Sequence, residues 1–237
     1  MSLSIPPKPR TGYSRPELVR LPRLNFGRRM ARKFLNGIIR LIVWLFADVQ
    51  VTGIENIPPH GPLLVVSNHL GDADTFIGLA ISPVQAEIVS KIDLHEIPVL
   101  GSLMNIYGVI WIHRGQADRR AIRVIQEALA EGRLVALAPE GRESVTGELE
   151  EGTEGAAYLA VKANVPILPI TFTGTRNQQV YANLKRLHRS RINVTIGQPF
   201  RLPIEEDWRE SVHLGTQMIM QTLAGQLPNE YKGVYKV

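Results

Sequence analysis

The sequence predicts an α/β fold: a mixed, largely parallel sheet flanked by helices. Short apolar runs between turn residues, such as 63–66 and 134–137, are typical of strands that are buried on both faces. Segments with apolar residues at helical spacing lie between these runs, and the segment 117–131 has the clearest stripe. Strands that alternate with helices favour βαβ units and therefore parallel pairing.

The same patterns place the individual elements. Strands are expected at 49–52, 63–66, 85–90, 108–112, 134–137, 165–172 and 192–197. Helices are expected at 26–47, 75–81, 97–104, 117–131, 155–164 and 206–225. Between 173 and 191 no clear pattern emerges apart from a basic cluster. We find no internal repeat and no interior boundary after residue 49.

Composition excludes several classes of function. The 237 residues, 44% of them apolar, suffice for one large α/β domain with a true core. The chain has no cysteine, which excludes a disulfide framework, a thiolate zinc site and a cysteine nucleophile. The Gly-x-Gly-x-x-Gly and Gly-x-x-x-x-Gly-Lys motifs are absent, which argues against nucleotide-driven chemistry. A Gly-x-Ser-x-Gly elbow is also absent, which argues against an α/β-hydrolase nucleophile.

The basic charge is concentrated at the N-terminus. Residues 1–40 contain ten Lys and Arg against one acid, Glu17, which gives this segment a formal charge of +9. Because the whole chain carries +5, the remainder carries −4. This distribution favours an anionic surface as the partner of the N-terminus, either a membrane or nucleic acid.

The expected helix 26–47 has a basic first half and an apolar second half interrupted by Arg40. A spanning helix needs about 20 predominantly apolar residues, so this segment is too short and too charged to span. We expect it to lie in a membrane interface, with its basic end on anionic headgroups and Trp44 near the polar boundary. The basic residues concerned are Arg28, Arg29, Arg32 and Lys33.

A core helix with a basic start is the alternative interpretation of this segment. The adjacent apolar run favours lipid over nucleic acid as its partner, and no small-residue cleavage site supports a signal peptide. We therefore divide the chain into 1–48, a basic arm and membrane-associating helix, and 49–237, the domain that contains the motifs below.

Residues 67–74 place reactive side chains at the end of a predicted strand. His69 follows the strand, and Asp74 lies in the first turn of the next helix. The turn between them lets the carboxylate fold back onto the imidazole, fix its tautomer and support positive charge. The other ring nitrogen can then take a proton from a substrate hydroxyl. The alternative is that Asp72 caps the helix and His69 merely satisfies backbone groups.

His69, four residues and Asp74 resemble the HxxxxD motif of the glycerolipid acyltransferases, of the 1-acylglycerol-3-phosphate or lysophospholipid acyltransferase type. Asn68 fits this motif. Three later stretches are also similar to the family: 108–114, which ends in an Arg; 138–144, which contains Pro-Glu-Gly; and 165–169, which reads Val-Pro-Ile-Leu-Pro. Together they cover about 67–169, with weaker likeness to 199.

The resemblance implies roles for further residues. Arg114, at the carboxyl end of a strand, would grip a phosphate with its planar fork. The remaining candidates for substrate binding are Asn68, Lys91, Glu140, Gly141 and Arg142. Glu140 would either hold polar groups of the acceptor or organise its loop.

Two departures from the family pattern bear on the acceptor. Arg142 and Glu143 stand where the family has Thr and Arg, so the Arg is one residue early. In an extended loop this shift points its side chain to the other side. The acidic stretch 148–154 carries four carboxylates, which would repel a phosphate.

The expected reaction is transfer of a fatty acyl group from acyl-CoA or acyl carrier protein to the hydroxyl of a lysophospholipid. The first candidate is 1-acylglycerol-3-phosphate, which gives phosphatidic acid in phospholipid synthesis. No metal and no cofactor beyond this co-substrate is implied. The expected location is the cytoplasmic face of a membrane, with an anionic membrane surface and no nucleic acid among the partners. The alternatives are a non-catalytic, membrane-attached lipid-binding member of the same fold, and an acyltransferase with a phosphate-free acceptor.

Overall fold

The structure is a computed structural model that describes residue 15 and residues 17–113 and 118–236. The strands are β1 (Ala47–Thr52), β2 (Leu63–Ser67), β3 (Ala86–Lys91), β4 (Ile110–Ile112), β5 (Leu134–Leu137), β6 (Ile167–Thr173) and β7 (Ser190–Ile196). The α-helices are α1 (Phe26–Phe46), α2 (Ala73–Ile81), α3 (Leu100–Tyr107), α4 (Arg119–Ala130), α5 (Gly155–Ala163), α6 (Asn177–Lys185) and α7 (Trp208–Gln226). Most of the predicted basic arm, residues 1–14 and 16, lies outside the described residues.

The strands form one seven-stranded sheet in the order β1-β7-β6-β2-β5-β3-β4. The neighbours pair in parallel except for β6 and β7, which are antiparallel. β1 and β7 therefore run against the other five strands, and the predicted mixed, largely parallel sheet is confirmed. The carboxyl ends of β2, β3, β4, β5 and β6 meet at one edge, where open α/β sheets bind ligands.

Helices cover both faces of the sheet, so the central strands are apolar along their whole length. In β2, Leu64 and Val66 pack into a core built with α4, α5 and α7. Leu63 and Val65 point to the opposite face and pack into a second core that includes Ile77 of α2. The alternation of side chains along a strand explains why one apolar run supplies both cores.

α1 is attached to the sheet by a buried charge pair. Arg32 is 0% exposed and donates two hydrogen bonds to the Glu87 carboxylate of β3, at 2.6 and 3.0 Å. It also donates to the carbonyls of Tyr107 and Gly108 at the end of α3. The expectation that Arg32 contacts anionic headgroups is therefore wrong. Its charge is matched inside the protein, because a buried guanidinium requires a partner of opposite sign.

The outward face of α1 carries large apolar side chains that are open to solvent, and Phe34 and Trp44 are 69% and 68% exposed. The full set is Phe26, Met30, Phe34, Ile38, Leu41, Ile42, Trp44, Leu45 and Phe46. Within the described ranges, no helix has both the length and the apolar content needed to cross a bilayer. The division of the chain at residue 48 stays a prediction.

The helix α6 was missed by the sequence patterns. None of its residues is buried, so it has no continuous apolar stripe that would mark it. It nevertheless contributes to the region around His69, because Asn177 at its first position and Tyr181 one turn later both reach the start of α2.

Candidate active site

The turn between β2 and α2 is held by the carboxylate of Asp74. Its Oδ2 atom accepts the backbone N–H groups of Leu70 and Gly71, at 2.7 and 3.0 Å, and lies 3.0 Å from Nδ1 of His69. Gly71 has no room for a side chain, because an added Cβ would lie 2.5 Å from the carbonyl oxygen of Thr175. The turn is therefore closed on both sides, and His69 is held at the carboxyl end of β2.

The predicted contact between His69 and Asp74 is present. Asp74 is 4% exposed, so its carboxylate interacts with the imidazole in a poorly solvated environment. A carboxylate can only accept a hydrogen bond, so Nδ1 carries a proton and Nε2 becomes the basic nitrogen of the neutral ring. This arrangement can remove a proton from a hydroxyl and support the imidazolium that results.

Asp72 does not cap α2. It occupies the N-cap position, but its side chain makes no capping hydrogen bond. Its Oδ2 accepts the hydroxyl of Tyr181 at 2.6 Å instead, and this hydrogen bond, with burial and the charge of Asp72, raises the pKa of Tyr181 to about 12. The backbone N–H of Asp72 donates to Oδ1 of Asn177 at 2.9 Å. Asp72 thus stands at the expected N-cap position with Asp74 in the first turn, but its side chain does not cap the helix.

Asn68 holds the end of β2 to β6. Its Nδ2 donates to the carbonyl of Phe172 at 2.9 Å, and its Oδ1 accepts the N–H of Phe172 at 2.8 Å. The side chain is fully buried. Both polar ends of its amide are bonded to the backbone, and a direct contact between Asn68 and substrate stays a prediction. Its effect on the site is to position the neighbouring His69.

Glu140 binds the backbone on both sides of its loop. Its Oε1 accepts the N–H of His69 at 3.0 Å, and its Oε2 accepts the N–H of Glu150 at 2.8 Å. The N–H of Ser144 donates to the carbonyl of His69 at 2.7 Å, so the same loop holds both backbone groups of the histidine. Glu140 is 5% exposed. Of the two roles expected for Glu140, the structure shows loop organisation, and contact with the acceptor stays a prediction.

The side chains of Arg142 and Glu143 point to different partners. Arg142 is an exposed side chain that donates to Oε2 of Glu150, at 2.6 and 3.0 Å. Glu143 points back toward the site, where its Oε1 accepts Nδ2 of Asn177 at 2.8 Å. Burial raises the pKa of the Glu143 carboxyl, the charge of Asp72 raises it further, and His69 opposes the rise. The Glu143 carboxylate is thus close enough to His69 for their charges to interact, and substrate contact by Arg142 stays a prediction.

The remaining candidates differ in how far the structure describes them. Gly141, in the turn after Glu140, has a φ of 74°, a conformation that favours glycine. Lys91 ends β3 opposite Ile112 and is partly exposed, with no ion pair in the described part of the chain. Arg114 lies outside the described residues. Substrate binding by Gly141 and Lys91 and phosphate binding by Arg114 therefore stay predictions.

The structure contains a second His–Asp contact that sequence reasoning did not single out. His113 Nδ1 lies 2.9 Å from Oδ2 of Asp118, which also accepts the backbone N–H of His113. Oδ1 of Asp118 caps α4 by accepting the N–H groups of Arg120 and Ala121. The pair has the same five-residue spacing as His69 and Asp74, and that repeated spacing was the available signal. Its evident effect is to join the end of β4 to the start of α4.

An apolar cavity lies beneath His69, between α2 and the sheet. It has a volume of about 130 Å³, and His69 and Asp74 lie at its polar end. Its apolar walls include Val65, Gly78, Ala136, Leu168, Ile170 and Phe172. Among the described residues, no group of three or more His, Asp and Glu is arranged to hold a metal ion. The site therefore combines a histidine base with a space for a hydrocarbon chain.

A histidine held by a carboxylate at the mouth of an apolar cavity is an arrangement that can activate a hydroxyl beside an apolar chain. Comparison with known families agrees with this interpretation. The family model described as Acyltransferase matches residues 48–173, more than half of the chain. The chain belongs to this acyltransferase family.

Individual relatives carry related names. The 1-acyl-sn-glycerol-3-phosphate acyltransferase of Borreliella burgdorferi is 28% identical over 156 residues, which are 63% of this chain and 61% of that protein. The human 1-acyl-sn-glycerol-3-phosphate acyltransferase alpha is 33% identical over 145 residues, 60% of this chain and 51% of the relative. The chain thus spans about half to three fifths of the length of these curated relatives.

A solved structure shows the same fold. The crystal structure of the 1-acyl-sn-glycerophosphate (LPA) acyltransferase PlsC from Thermotoga maritima matches 86% of this chain and 84% of its own length. The TM-score is 0.61 and the sequence identity is 23%. The α/β architecture described above is therefore shared with a solved member of an acyltransferase fold.

Replacing Glu140 by Gln should change how stability depends on pH. Burial raises the pKa of Glu140 from its ordinary value of 4.5 to about 7, against the hydrogen bonds from the Glu150 and His69 N–H groups. The folded protein therefore holds this proton more tightly than the unfolded chain does. The contribution of the group is fully present below its unfolded pKa and falls by about 3 kcal/mol as the pH rises through 7.

Urea unfolding at several pH values between about 5 and 8 measures this effect. The free energy of unfolding of wild type should fall with pH relative to Glu140→Gln, whereas the exposed-site control Glu151→Gln should follow wild type. Parallel pH dependences for wild type and Glu140→Gln would contradict the raised pKa.

Proposed function

We propose that the protein transfers a fatty acyl group from a thioester, acyl-CoA or acyl carrier protein, to the hydroxyl of a lysophospholipid. The first candidate acceptor is 1-acylglycerol-3-phosphate, which would give phosphatidic acid. The observation that carries the proposal is the His69–Asp74 contact at the mouth of the apolar cavity. The names of the relatives support the same acceptor and reaction.

In the proposed reaction, His69 first takes a proton from the acceptor and later returns one to the leaving group. Nε2 of His69 takes the proton of the acceptor hydroxyl, while Asp74 supports the positive charge on the ring. The acceptor oxygen forms a bond to the thioester carbonyl carbon, and the carbon–sulfur bond then breaks. The imidazolium returns its proton to the departing thiolate, which leaves an ester and a free thiol. His69 ends in its starting protonation state.

The cavity beneath His69 suits the donor's acyl chain. Its walls are aliphatic and aromatic side chains of the sheet and of α2, and its polar end is the catalytic pair. A chain in this cavity would place the thioester carbonyl beside Nε2 while its methylenes stay out of water, which favours binding. Proximity of the two reacting groups would then supply much of the rate enhancement.

The loop around Glu140 supports the mechanism indirectly. By accepting the N–H of His69 with a nearly buried carboxylate, Glu140 fixes the backbone position of the base. Ser144 donates to the carbonyl of the same residue, so rotation of this peptide segment is opposed from both sides. A general base needs this kind of restraint, because small displacements of the reacting atoms lower the rate strongly.

The outward face of α1 is the proposed contact with an anionic membrane surface, on the cytoplasmic side. Its exposed apolar side chains would enter the headgroup region, and the exposed Arg29 and Lys33 would approach lipid phosphates. The buried ion pair of Arg32 fixes α1 to the sheet. The edge of the sheet that carries His69 would therefore be held at a constant orientation to the lipid.

Co-sedimentation with phosphatidylglycerol vesicles tests this placement. Phe34→Glu should lower the ratio of bound to unbound protein by roughly tenfold, because it removes one phenyl group from the apolar contact. Gln221→Glu, on the exposed side of α7, adds the same charge and should bind nearly as wild type. Equal loss in both variants would show that charge, and not the face of α1, determines binding.

A phosphate-free acceptor is the second candidate, and Glu143 favours it. The family's Arg position is occupied here by a carboxylate that lies near His69 and Asp72. Charges of like sign repel, so an acceptor phosphate would have to be held away from Glu143. An acceptor with a neutral or cationic headgroup would meet no such repulsion.

Thiol release from a long-chain acyl-CoA in mixed micelles, with a panel of lysolipids, tests the reaction and the acceptor together. His69→Ala and Asp74→Asn should each lower the rate by ~10²–10⁴-fold, because they remove the base or its support. His60→Ala, an exposed histidine before β2, is the matched control and should stay near wild type.

The acceptor panel separates the candidates. Release with lysophosphatidic acid would support 1-acylglycerol-3-phosphate, and release with phosphate-free lysolipids would support the second candidate. Wild-type activity in His69→Ala would contradict the mechanism. Absence of histidine-dependent release with both acyl-CoA and acyl carrier protein would instead favour a non-catalytic, lipid-binding member of the family.

A further inference from the structure

A second apolar groove lies on the other side of α2, between α1, α6 and β7. Its volume is about 270 Å³, roughly twice that of the cavity beneath His69. Nearly all of its lining is aliphatic or aromatic, and the main contributors are Ile42, Phe46, Phe76, Ile77, Val180 and Leu184. The reaction as described above makes no use of this groove.

The helix α2 separates the two spaces. Asp74, Gly78 and Leu79 face the cavity beneath His69, whereas Ala73 and Phe76 face the groove. Both spaces reach the turn between β2 and α2 at one end. Asp72 lines the groove and lies between His69 and Asp74 in the chain. The two apolar spaces therefore lie on opposite sides of one helix, and the residues at their polar ends, Asp72 for the groove and His69 with Asp74 for the cavity, belong to the same turn.

The polar end of the groove is connected to the site by hydrogen bonds. Asn177 lines the groove, accepts the N–H of Asp72 at 2.9 Å and donates to Glu143 at 2.8 Å. Tyr181 also lines the groove, and its hydroxyl donates to the carboxylate of Asp72. A molecule with an apolar chain in the groove would thus have its polar end at Asp72, in the turn that carries His69.

The other side of the groove opens toward the exposed face of α1. Ile42, Phe46 and Phe76 line it and are still 49%, 36% and 45% exposed. An apolar chain could therefore enter sideways from the face that we place against the membrane, without crossing the polar end. From residue 177 to residue 184, α6 borders the groove over about 10 Å, which suits an extended chain segment.

We propose that this groove binds the acyl chain that the acceptor already carries, while the cavity beneath His69 binds the chain of the donor. The inference rests on the proposed function, in which the acceptor is a lysolipid with one chain. It explains how two chains can approach one base without competing for one space. It also assigns acceptor chain-length selectivity to α1, α2 and α6, and donor selectivity to the sheet.

Substitutions that fill either the groove or the cavity test the acceptor and donor assignments separately. Val180→Trp should fill the groove from α6, and Ala136→Phe should fill the cavity from β5. Gln179→Trp places the same bulk on the solvent side of α6 and is the matched control. Leu184→Ala widens the groove and serves as a second variant that does not depend on accommodating a larger side chain.

Direct binding of monomeric 1-acyl lysolipids with 6-carbon to 12-carbon chains gives the readout. Each methylene that leaves water should strengthen binding to wild type by up to about fourfold. Val180→Trp should lose at least tenfold affinity for the longest lysolipid relative to the shortest. Leu184→Ala should lower the gain in affinity per methylene, and Gln179→Trp should match wild type. Ala136→Phe should leave the dependence of lysolipid affinity on chain length unchanged and should weaken the binding of long-chain donors.

An equal loss of affinity for short and long lysolipids in Val180→Trp would overturn the proposal, and so would a change in its dependence on donor chain length. Chain-length-independent binding by wild type would overturn it as well, and would leave the groove as a contact for a protein partner or a second copy of the chain. Because binding is measured without turnover, failure of the transfer reaction remains a separate result.

Discussion

The site depends on one carboxylate oxygen, Oδ2 of Asp74. It accepts two backbone N–H groups of the turn after β2 and contacts Nδ1 of His69. The same side chain therefore lies in the first turn of α2, closes the turn after β2 and orients the imidazole of His69. Because the carboxylate is nearly buried, these interactions are stronger than they would be in water. The position of α2 follows from this turn, and with it the two apolar spaces that flank the helix.

Other buried polar groups fix this turn to the rest of the sheet. Asn68 joins it to β6 through a reciprocal pair of hydrogen bonds, and Glu140 joins it to the loop after β5. A buried group that loses its partner costs roughly 1–3 kcal/mol, so each of these contacts resists displacement of His69. Arg32 and Glu87 do the same for α1, whose apolar face then has a defined direction.

Local features were predictable from the sequence, and long-range partners were not. The His69–Asp74 contact follows from five-residue spacing across a strand–helix turn, and the sheet follows from apolar runs such as 63–66. Glu140 was recognised, but its partner lies 71 residues away, so pattern alone could not show that it holds the base. Arg32 was assigned to headgroups because a charge count cannot show that Glu87 lies opposite it. The helix α6 escaped notice because none of its residues is buried, so it has no apolar stripe of the kind that marks a core helix.

The protonation of His69 is the property on which the mechanism depends most directly, and ¹⁵N chemical shifts of histidine-labelled protein measure it. If Asp74 orients the ring as the structure shows, the neutral imidazole carries its proton on Nδ1 and leaves Nε2 as the base. The Nδ1 resonance should then have the shift of a protonated nitrogen, and Nε2 that of an unprotonated one. A neutral ring protonated on Nε2 would contradict the account, since that nitrogen could not accept a proton from the acceptor.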